Sequence, residues 1–451
     1  MFEAEIHFDS LLPDGSACGF LDAKPVCAFG ALPGDTARVR IFKKRRGIRF
    51  GEVVEILRAS PDRVDPAEAH FTSCSPWQVM RYDRQVSEKR KLLGEMISSA
   101  EGGQRMPERF YDVHSVESHL PQSLLGEEGT KTQTFGYRTK IEFSFTEENN
   151  ELCLAFFARG SRRKVALPDG CALASDGMNR AARAIRDGMR AAGISAHQLK
   201  TLIIRESKSP DARVAALYVT DRSVAEATAR LHQSLTEDEG LRGFRVIYSD
   251  PESPASIATE TLHQSGSAAL EEKVGEKSFR YAFDGFFQNH IPLFSAALGR
   301  MRAQAPLIHK LVDLYCGVGT IGISLADRAA EVVGIEQASE AIECARHNAQ
   351  ANGVKHFRGI ACDDRTIPEG VLDGAEVVVC DPPRVGLHKN VITALVHHKP
   401  GRILYLSCNP ATQARDYGLL KEHYAIASCE GFDFYPNTPH MESLMVLDAK
   451  N

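Results

Sequence analysis

Tryptophan occurs once in this chain of 451 residues, at Trp77. The eleven cysteines include no CxxC pair, so neither a thioredoxin-type redox motif nor a paired zinc-binding motif is present. Their scatter implies no disulfide framework, and in a reducing compartment most are small buried hydrophobes. No segment approaches the roughly 18 uncharged apolar residues of a membrane helix. The N-terminus, Met1-Phe2-Glu3-Ala4-Glu5, carries acids where a secretory signal has bases, so the chain reads as cytoplasmic with no membrane partner. There is no excess of positive charge either: the net charge is −5, and any nucleic-acid contact must come from local patches. No internal repeat or low-complexity tract is evident.

Two basic patches are present. Lys43-Lys44-Arg45-Arg46-Gly47-Ile48-Arg49 carries five positive charges, and Arg159-Gly160-Ser161-Arg162-Arg163-Lys164 carries four. Either run by itself is equally well read as a solvated loop. With 43% hydrophobic and 25% charged residues the composition is that of a globular protein, and the length suits two to four domains.

Residues 1–58 read as a small β-barrel of the OB type, from short strand-like runs at 26–29, 36–42 and 50–57 punctuated by Pro33-Gly34-Asp35 and Arg46-Gly47. Ala59–Pro66 reads as a linker. Residues 67–285 form a central α/β domain. It opens with an irregular stretch and a helix over about 83–99, whose apolar side is Val86, Leu92, Leu93 and Met96. Further predicted elements are a half-buried strand over 136–145 and a helix from Ser175 to Gly193. Residues 286–451 alternate strand and helix patterns, as a doubly wound parallel sheet does. The predicted strands are 311–315, 331–336, 356–361, 376–380 and 402–407, with an antiparallel pair near 424–434 and 442–448. A helix over 339–352 places Ala341, Ile342, Ala345 and Ala349 on one face.

Gly317-x-Gly319-x-x-Gly322 follows the first of these strands, and Glu336 ends the second. The turn suits NAD as well as S-adenosylmethionine. The series Asp313, Glu336, Asp363 and Asp381 at successive strand ends favours the latter. Asp364 adjoins the third of these acids, and Asp381 opens an Asp-Pro-Pro element. Cys408 ends the strand 402–407, at the edge where open α/β sheets carry their sites. Glu442 stands at a second turn-to-strand junction. A thiol, a carboxylate base and a methyl donor are what C5 methylation of a pyrimidine requires. C5 is a poor nucleophile until a thiol adds at C6, and a base must then remove the C5 proton.

Taken in order, Phe286-Phe287-Gln288-Asn289, Asp313-Leu314-Tyr315-Cys316-Gly317-Val318-Gly319-Thr320, Cys380-Asp381-Pro382-Pro383-Arg384, Tyr405-Leu406-Ser407-Cys408-Asn409-Pro410 and Phe434–Glu442 resemble the RNA uracil-5-methyltransferases over nearly the whole chain. The resemblance implies a class I methyltransferase (Rossmann-like) sheet, with Cys408 as nucleophile and Glu442 as base. It implies that Gln288, Tyr315, Thr320, Glu336, Asp363 and Asp381 bind S-adenosylmethionine. Residues 1–58 resemble the TRAM domain, which favours 23S rRNA over the tRNA T-loop as substrate for an enzyme expected to be a monomer. A nicotinamide oxidoreductase leaves Cys408 unexplained. A non-catalytic RNA-binding protein with a decayed domain leaves both Cys408 and Glu442 unexplained. RNA cytosine-5 methyltransferases carry a second Cys where this chain has Arg384.

One departure stands out. Many rRNA-modifying relatives hold a [4Fe–4S] cluster on four cysteines. Here the corresponding segment keeps only Cys74, with Cys171 as the fourth position and Glu68 and Trp77 in the other two. Two thiolates are too few for an ordinary four-cysteine cluster. No cluster and no metal is therefore expected, and Trp77 is expected to fill the vacated volume.

Overall fold

The computed structural model describes residues 2–102, 112–119, 134–231, 235, 240–253, 255–363 and 365–451. The chain begins with β1 (Phe2–Leu11), β2 (Ala17–Leu21), β3 (Lys24–Phe29), β4 (Thr36–Arg45) and β5 (Ile48–Arg58). They close into a barrel in the order β1-β2-β3-β5-β4, with β3 parallel to β5. Three of the five were expected. In β1 a bulge between Phe8 and Ser10 shifts the register. Phe8 and Leu11 are therefore both buried although three residues apart, and the alternation that marks a strand is broken. Asp35 is fully buried and ties the barrel to its exit strap, accepting from the Leu32 and Ser60 amides and pairing with Arg63.

The helix Tyr82–Ala100 buries Gln85, Glu88 and Lys89 along with Leu92, Leu93 and Ile97. Only Leu92 and Leu93 of the predicted apolar side are fully buried. The edge strand β6 (Val113–His114) follows it. The middle region holds β7 (Lys140–Glu148), β8 (Glu151–Phe157), β9 (Lys164–Ala166), β10 (Leu199–Lys208), β11 (Asp211–Val219), β12 (Leu241–Tyr248) and β13 (Glu260–Gly266). These form one sheet, ordered β13-β12-β11-β10-β7-β8-β9. The helix Asp176–Ala191 packs on one face through Leu202, Ile204, Ala215 and Leu217. The other face, with Ile203, Val214, Ala216 and Tyr218, packs on the hairpin β14 (Ala269–Val274) and β15 (Lys277–Ala282). Strands covered on both faces read as unbroken apolar runs rather than alternating ones, which is why most of this sheet escaped the sequence reading.

The last sheet contains β16 (Ile308–Leu314), β17 (Ala329–Glu336), β18 (Phe357–Ala361), β19 (Val377–Cys380), β20 (Arg402–Ser407), β21 (Tyr424–Phe432) and β22 (Glu442–Ala449). Its order is β18-β17-β16-β19-β20-β22-β21-β6. The five strands β16 to β20 are parallel, and β22 inserts antiparallel between β20 and β21. The direction of winding reverses between β16 and β19, so the crevice of a doubly wound fold opens at their carboxyl ends. Among the described residues no helix is long and apolar enough to cross a membrane.

Candidate active site

The strand ends converge on that crevice. Immediately after β16, Tyr315 takes a positive φ of 62°, a strained conformation for a residue with a side chain. Gly319 follows at φ 82°, where an added Cβ would lie 2.8 Å from Ile323 Cδ1. Thr320 is buried and begins the helix Thr320–Ser324. Gly322 lets that helix close on β16, donating its N–H to Asp313 Oδ2 at 2.7 Å. Burial raises the Asp313 carboxyl to about 8.

Glu336, at the end of β17, accepts from the Gly317 amide at 3.2 Å and the Ala338 amide at 3.0 Å. A carboxylate has about four lone-pair sites, so acceptor capacity remains. Asp363 lies beyond β18, whose neighbour Cys362 donates its amide to Glu336 O. The Asp363 side chain is exposed and forked against Arg365. Asp364 lies outside the described residues. Asp381, just past β19, is raised to about 7 by burial. Gln288 Nε2 reaches Asp381 Oδ2 at 3.5 Å, while its backbone oxygen accepts from Thr139 Oγ1 at 2.8 Å.

Cys408 and Glu442 meet through strand register. Ser407 of β20 pairs with Ser443 of β22; one residue further along the same register, Cys408 stands opposite Glu442. A buried network locks this junction. Gln413 Nε2 donates to Tyr405 O and Ser443 O, and Ser443 Oγ donates to Gln413 Oε1. The Cys408 thiol is pushed up to about 12 by burial, then by the charges of Glu442 and Asp381, with Arg384 opposing. Glu442 is 2% exposed, and burial, followed by Asp381, carries its carboxyl well above the ordinary range. Tyr435 Oη donates to Glu442 Oε1 at 3.2 Å. Glu442 Oε2, Gln288 Oε1 and Asp313 Oδ1 are shielded oxygens with no hydrogen-bond partner among the described residues. Buried acceptors without partners are costly unless a ligand satisfies them, and those of Glu442 and Gln288, both beside Asp381, fit a polar nucleoside-like ligand in the crevice.

The loop into Glu442 is held from outside the sheet. Asn437 exchanges hydrogen bonds with Gln85, and its carbonyl accepts from the Trp77 amide. The fully buried Lys89 pairs with Asp433. Gln85 and Lys89 on the inner face of the helix Tyr82–Ala100 thus serve this loop. Beside it, Arg138, Arg159 and His440 line a cleft of about 290 Å³ with Phe156, Phe157 and Cys74. Arg384 Nη2 lies 3.2 Å from His440 Nδ1. Burial, and then Arg384 and Arg159, push His440 down to about 3, so the imidazole is neutral within a cationic surround. The sequence reading assigned no site role to Tyr435, His440 or Arg384. The first two lie inside the quoted Phe434–Glu442 motif, and that adjacency was the available signal. Another cleft, of about 610 Å³, opens at the opposite edge of the sheet, beside the Arg402–Asp448 pair, and holds none of these groups.

Trp77 is fully buried, with its indole N–H directed to Gly15 O of the barrel at 3.2 Å and Lys89 over its ring. The group that gathers around the thiols of Cys74 and Cys171 is Glu68 with His70, a residue to which the sequence reading assigned no role.

A glycine turn after the first strand, an acid at the end of the second and an Asp-Pro-Pro element after the fourth, all at the switch point, define a class I methyltransferase. Residues 295–403 match the methyltransferase small domain and residues 373–450 the tRNA (uracil-5-)-methyltransferase family. The chain is 30% identical to an otherwise uncharacterised RNA methyltransferase of Nitratidesulfovibrio vulgaris, over 99% of this chain and 96% of that one. It is 27% identical to another from Oceanobacillus iheyensis, over 99% and 96%. Its fold is that of the Pyrococcus abyssi tRNA (uracil-54, C5)-methyltransferase solved with S-adenosyl-L-homocysteine, at TM-score 0.75 and 23% identity, covering 98% of this chain and 100% of that one. The chain belongs to the RNA uracil-5-methyltransferase family.

Proposed function

We propose that the chain forms 5-methyluridine through covalent addition of Cys408 to C6 of a uracil flipped out of a folded RNA. The observation carrying this is the β20–β22 register, which pairs Ser407 with Ser443 and so brings the adjoining Cys408 and Glu442 to one junction beside the cofactor crevice, where the Glu442 charge acts on the Cys408 thiol. Gln288, Tyr315, Thr320, Glu336, Asp363 and Asp381 would hold S-adenosylmethionine, which would supply an electrophilic methyl group and depart as the neutral thioether.

The protein's own groups do the rest. The Cys408 thiol gives up its proton to Asp381, which leaves Glu442 free as the later base, and Sγ bonds to C6. The C5–C6 π electrons shift to C5, which becomes the nucleophile. Once C5 carries the methyl group, Glu442 removes the C5 proton, the double bond re-forms and the C6–S bond breaks. Burial makes Glu442 a stronger base than an exposed glutamate. Tyr435 occupies Oε1 and leaves Oε2, without a partner among the described residues, as the accepting atom.

Flipping the base out of a stack costs about a few kcal/mol. Arg138, Arg159 and Arg384 beside His440 supply compensating phosphate contacts next to the site. The exposed hairpin tip Lys43–Arg46 supplies more, since none of its four cations has an ion-pair partner among the described residues. Of the second basic run, Lys164 donates to Phe145 O, Arg159 Nε to Thr72 O, and Arg163 lies 3.7 Å from Glu52 Oε1, so Arg162 is the cation of that run most open to RNA.

The TRAM resemblance of residues 1–58 favours 23S rRNA. A second reading, the tRNA T-loop, rests on the fold match to a tRNA enzyme over 98% of the chain, a span that includes the barrel. Mass mapping of both RNAs from a deletion strain separates the two. The mechanism is tested with RNA carrying 5-fluorouridine at the target. The native enzyme should form a denaturation-resistant adduct, because no C5 proton can leave. Cys408→Ala should form none, and continued turnover by that variant would sink the mechanism.

A further inference from the structure

Glu68, His70, Cys74 and Cys171 lie between the short helix Phe71–Cys74 and the turn that enters the helix Asp176–Ala191. One ligand atom from each lies within 4.8 Å of every other. Both thiols point at the same oxygen: Cys74 Sγ is 3.2 Å and Cys171 Sγ 3.6 Å from Glu68 Oε1. His70 Nε2 is 3.1 Å from Glu68 Oε2. That nitrogen is nevertheless shielded from solvent and has no aligned hydrogen-bond partner.

The cluster of four irons suggested by the resemblance does not fit. It takes four thiolates, and these donors include two. They also converge too closely to enclose a cubane. A single ion fits. Donors bound to one zinc at about 2.0–2.3 Å, in a tetrahedral arrangement, lie about 3.3–3.8 Å apart, close to the separations seen here.

We propose that Glu68, His70, Cys74 and Cys171 form a mononuclear site for a divalent cation of the zinc class. Two thiolates with an imidazole favour zinc over calcium or magnesium. Binding releases the two thiol protons to solvent. With both thiolates and the carboxylate charged and His70 neutral, the loaded site has a net charge of −1. Arg138 and Arg159 border the same cleft as Cys74 and offset it. The supporting shell is in place: Gln78 Nε2 donates to Glu68 Oε1 at 3.0 Å and the Ala172 amide to Oε2 at 2.7 Å. A bound ion would staple the segment that carries Trp77 to the central sheet, close to the cationic cleft beside the active site.

The test uses full-length protein without a histidine tag, purified without chelators. Elemental analysis should find one zinc per chain and no iron. After chelation under reducing conditions, added cobalt(II) should give thiolate-to-cobalt charge-transfer bands that saturate at one equivalent. Zinc should compete those bands away and raise the Tm of the stripped protein. Cys74→Ser and Cys171→Ser should lose the bands, whereas Glu442→Gln should keep them. If either Cys variant fails to fold, His70→Gln, with the cobalt bands shifted and the affinity lowered, carries the same expectation. Protein that is metal-free as purified and silent to cobalt overturns the site. So does stoichiometric iron with sulfide, or a cobalt spectrum unchanged in Cys74→Ser. These readouts do not depend on methyl transfer, so the site and the proposed chemistry can fail separately.

Discussion

The resting reactivity of Cys408 offers a sharp test of the active-site electrostatics. With its thiol raised to about 12 by burial, Glu442 and Asp381, the thiolate fraction at pH 7 is about 10⁻⁵, against about 3% for a free cysteine near 8.5. That is about a 3,000-fold deficit. A more basic thiolate is intrinsically more nucleophilic, with a Brønsted coefficient of about 0.4–0.5, which returns about 25- to 55-fold. Exchange of Cys408 with a small neutral disulfide at pH 7 should therefore run about 55- to 120-fold slower than free cysteine, and slower still where access is limited. The assay is peptide mapping by mass spectrometry, following the peptide that contains Cys408 among the chain's eleven cysteines. The rate should climb tenfold per pH unit from pH 7 to 10 without the plateau a free thiol reaches near pH 9. Arg384→Gln, which removes a cation favouring the thiolate, should slow it further. A rate equal to free cysteine at pH 7, or a plateau below pH 9, would refute the reasoning and show an already ionised nucleophile.

Three further outcomes are expected. Glu442→Gln should still add and methylate, then stall, so that methylated RNA–protein adduct accumulates on denaturing gels and turnover falls by about 10²–10⁴; normal turnover would remove Glu442 from the base role. Neutralising Lys43, Lys44, Arg45 and Arg46 together should weaken RNA binding and lower the slope of log affinity against log salt by up to about 3, at about 0.7–0.9 per lost phosphate contact; an unchanged slope makes the hairpin a solvated loop. Lys89→Met should cost about 3–5 kcal/mol in urea unfolding by stranding the buried Asp433 carboxylate, whereas Lys89→Met with Asp433→Leu should recover most of it; equal losses would mean the pair is not the cause.

Much of the site was legible in the chain because its signals are local. Gly319 and Gly322 mark a turn that a side chain would obstruct, Asp381 precedes two prolines, and Cys408 ends an apolar run. Each of these depends on a few consecutive residues and their backbone preferences. The strands of the last sheet were equally readable, since each is short, apolar and bounded by turn residues. What could not be read depends on residues far apart in sequence. The register of β20 on β22 sets Cys408 opposite Glu442. Tyr435 matters only because the loop folds its phenol back onto Glu442. Gln85 and Lys89 lie outside the predicted apolar side of their helix, yet they are buried because Asn437 and Asp433, more than 300 residues later, meet them with matching polar groups. His70 lies in the quoted segment, but its importance appears only when Cys171, about a hundred residues later, is brought beside Glu68. Periodicity and turn chemistry act within a few residues, so the sequence alone determined the local elements and the residue types available for catalysis. Which of those residues share a site is decided by burial and hydrogen-bond satisfaction across the chain, and only the tertiary structure supplies those contacts.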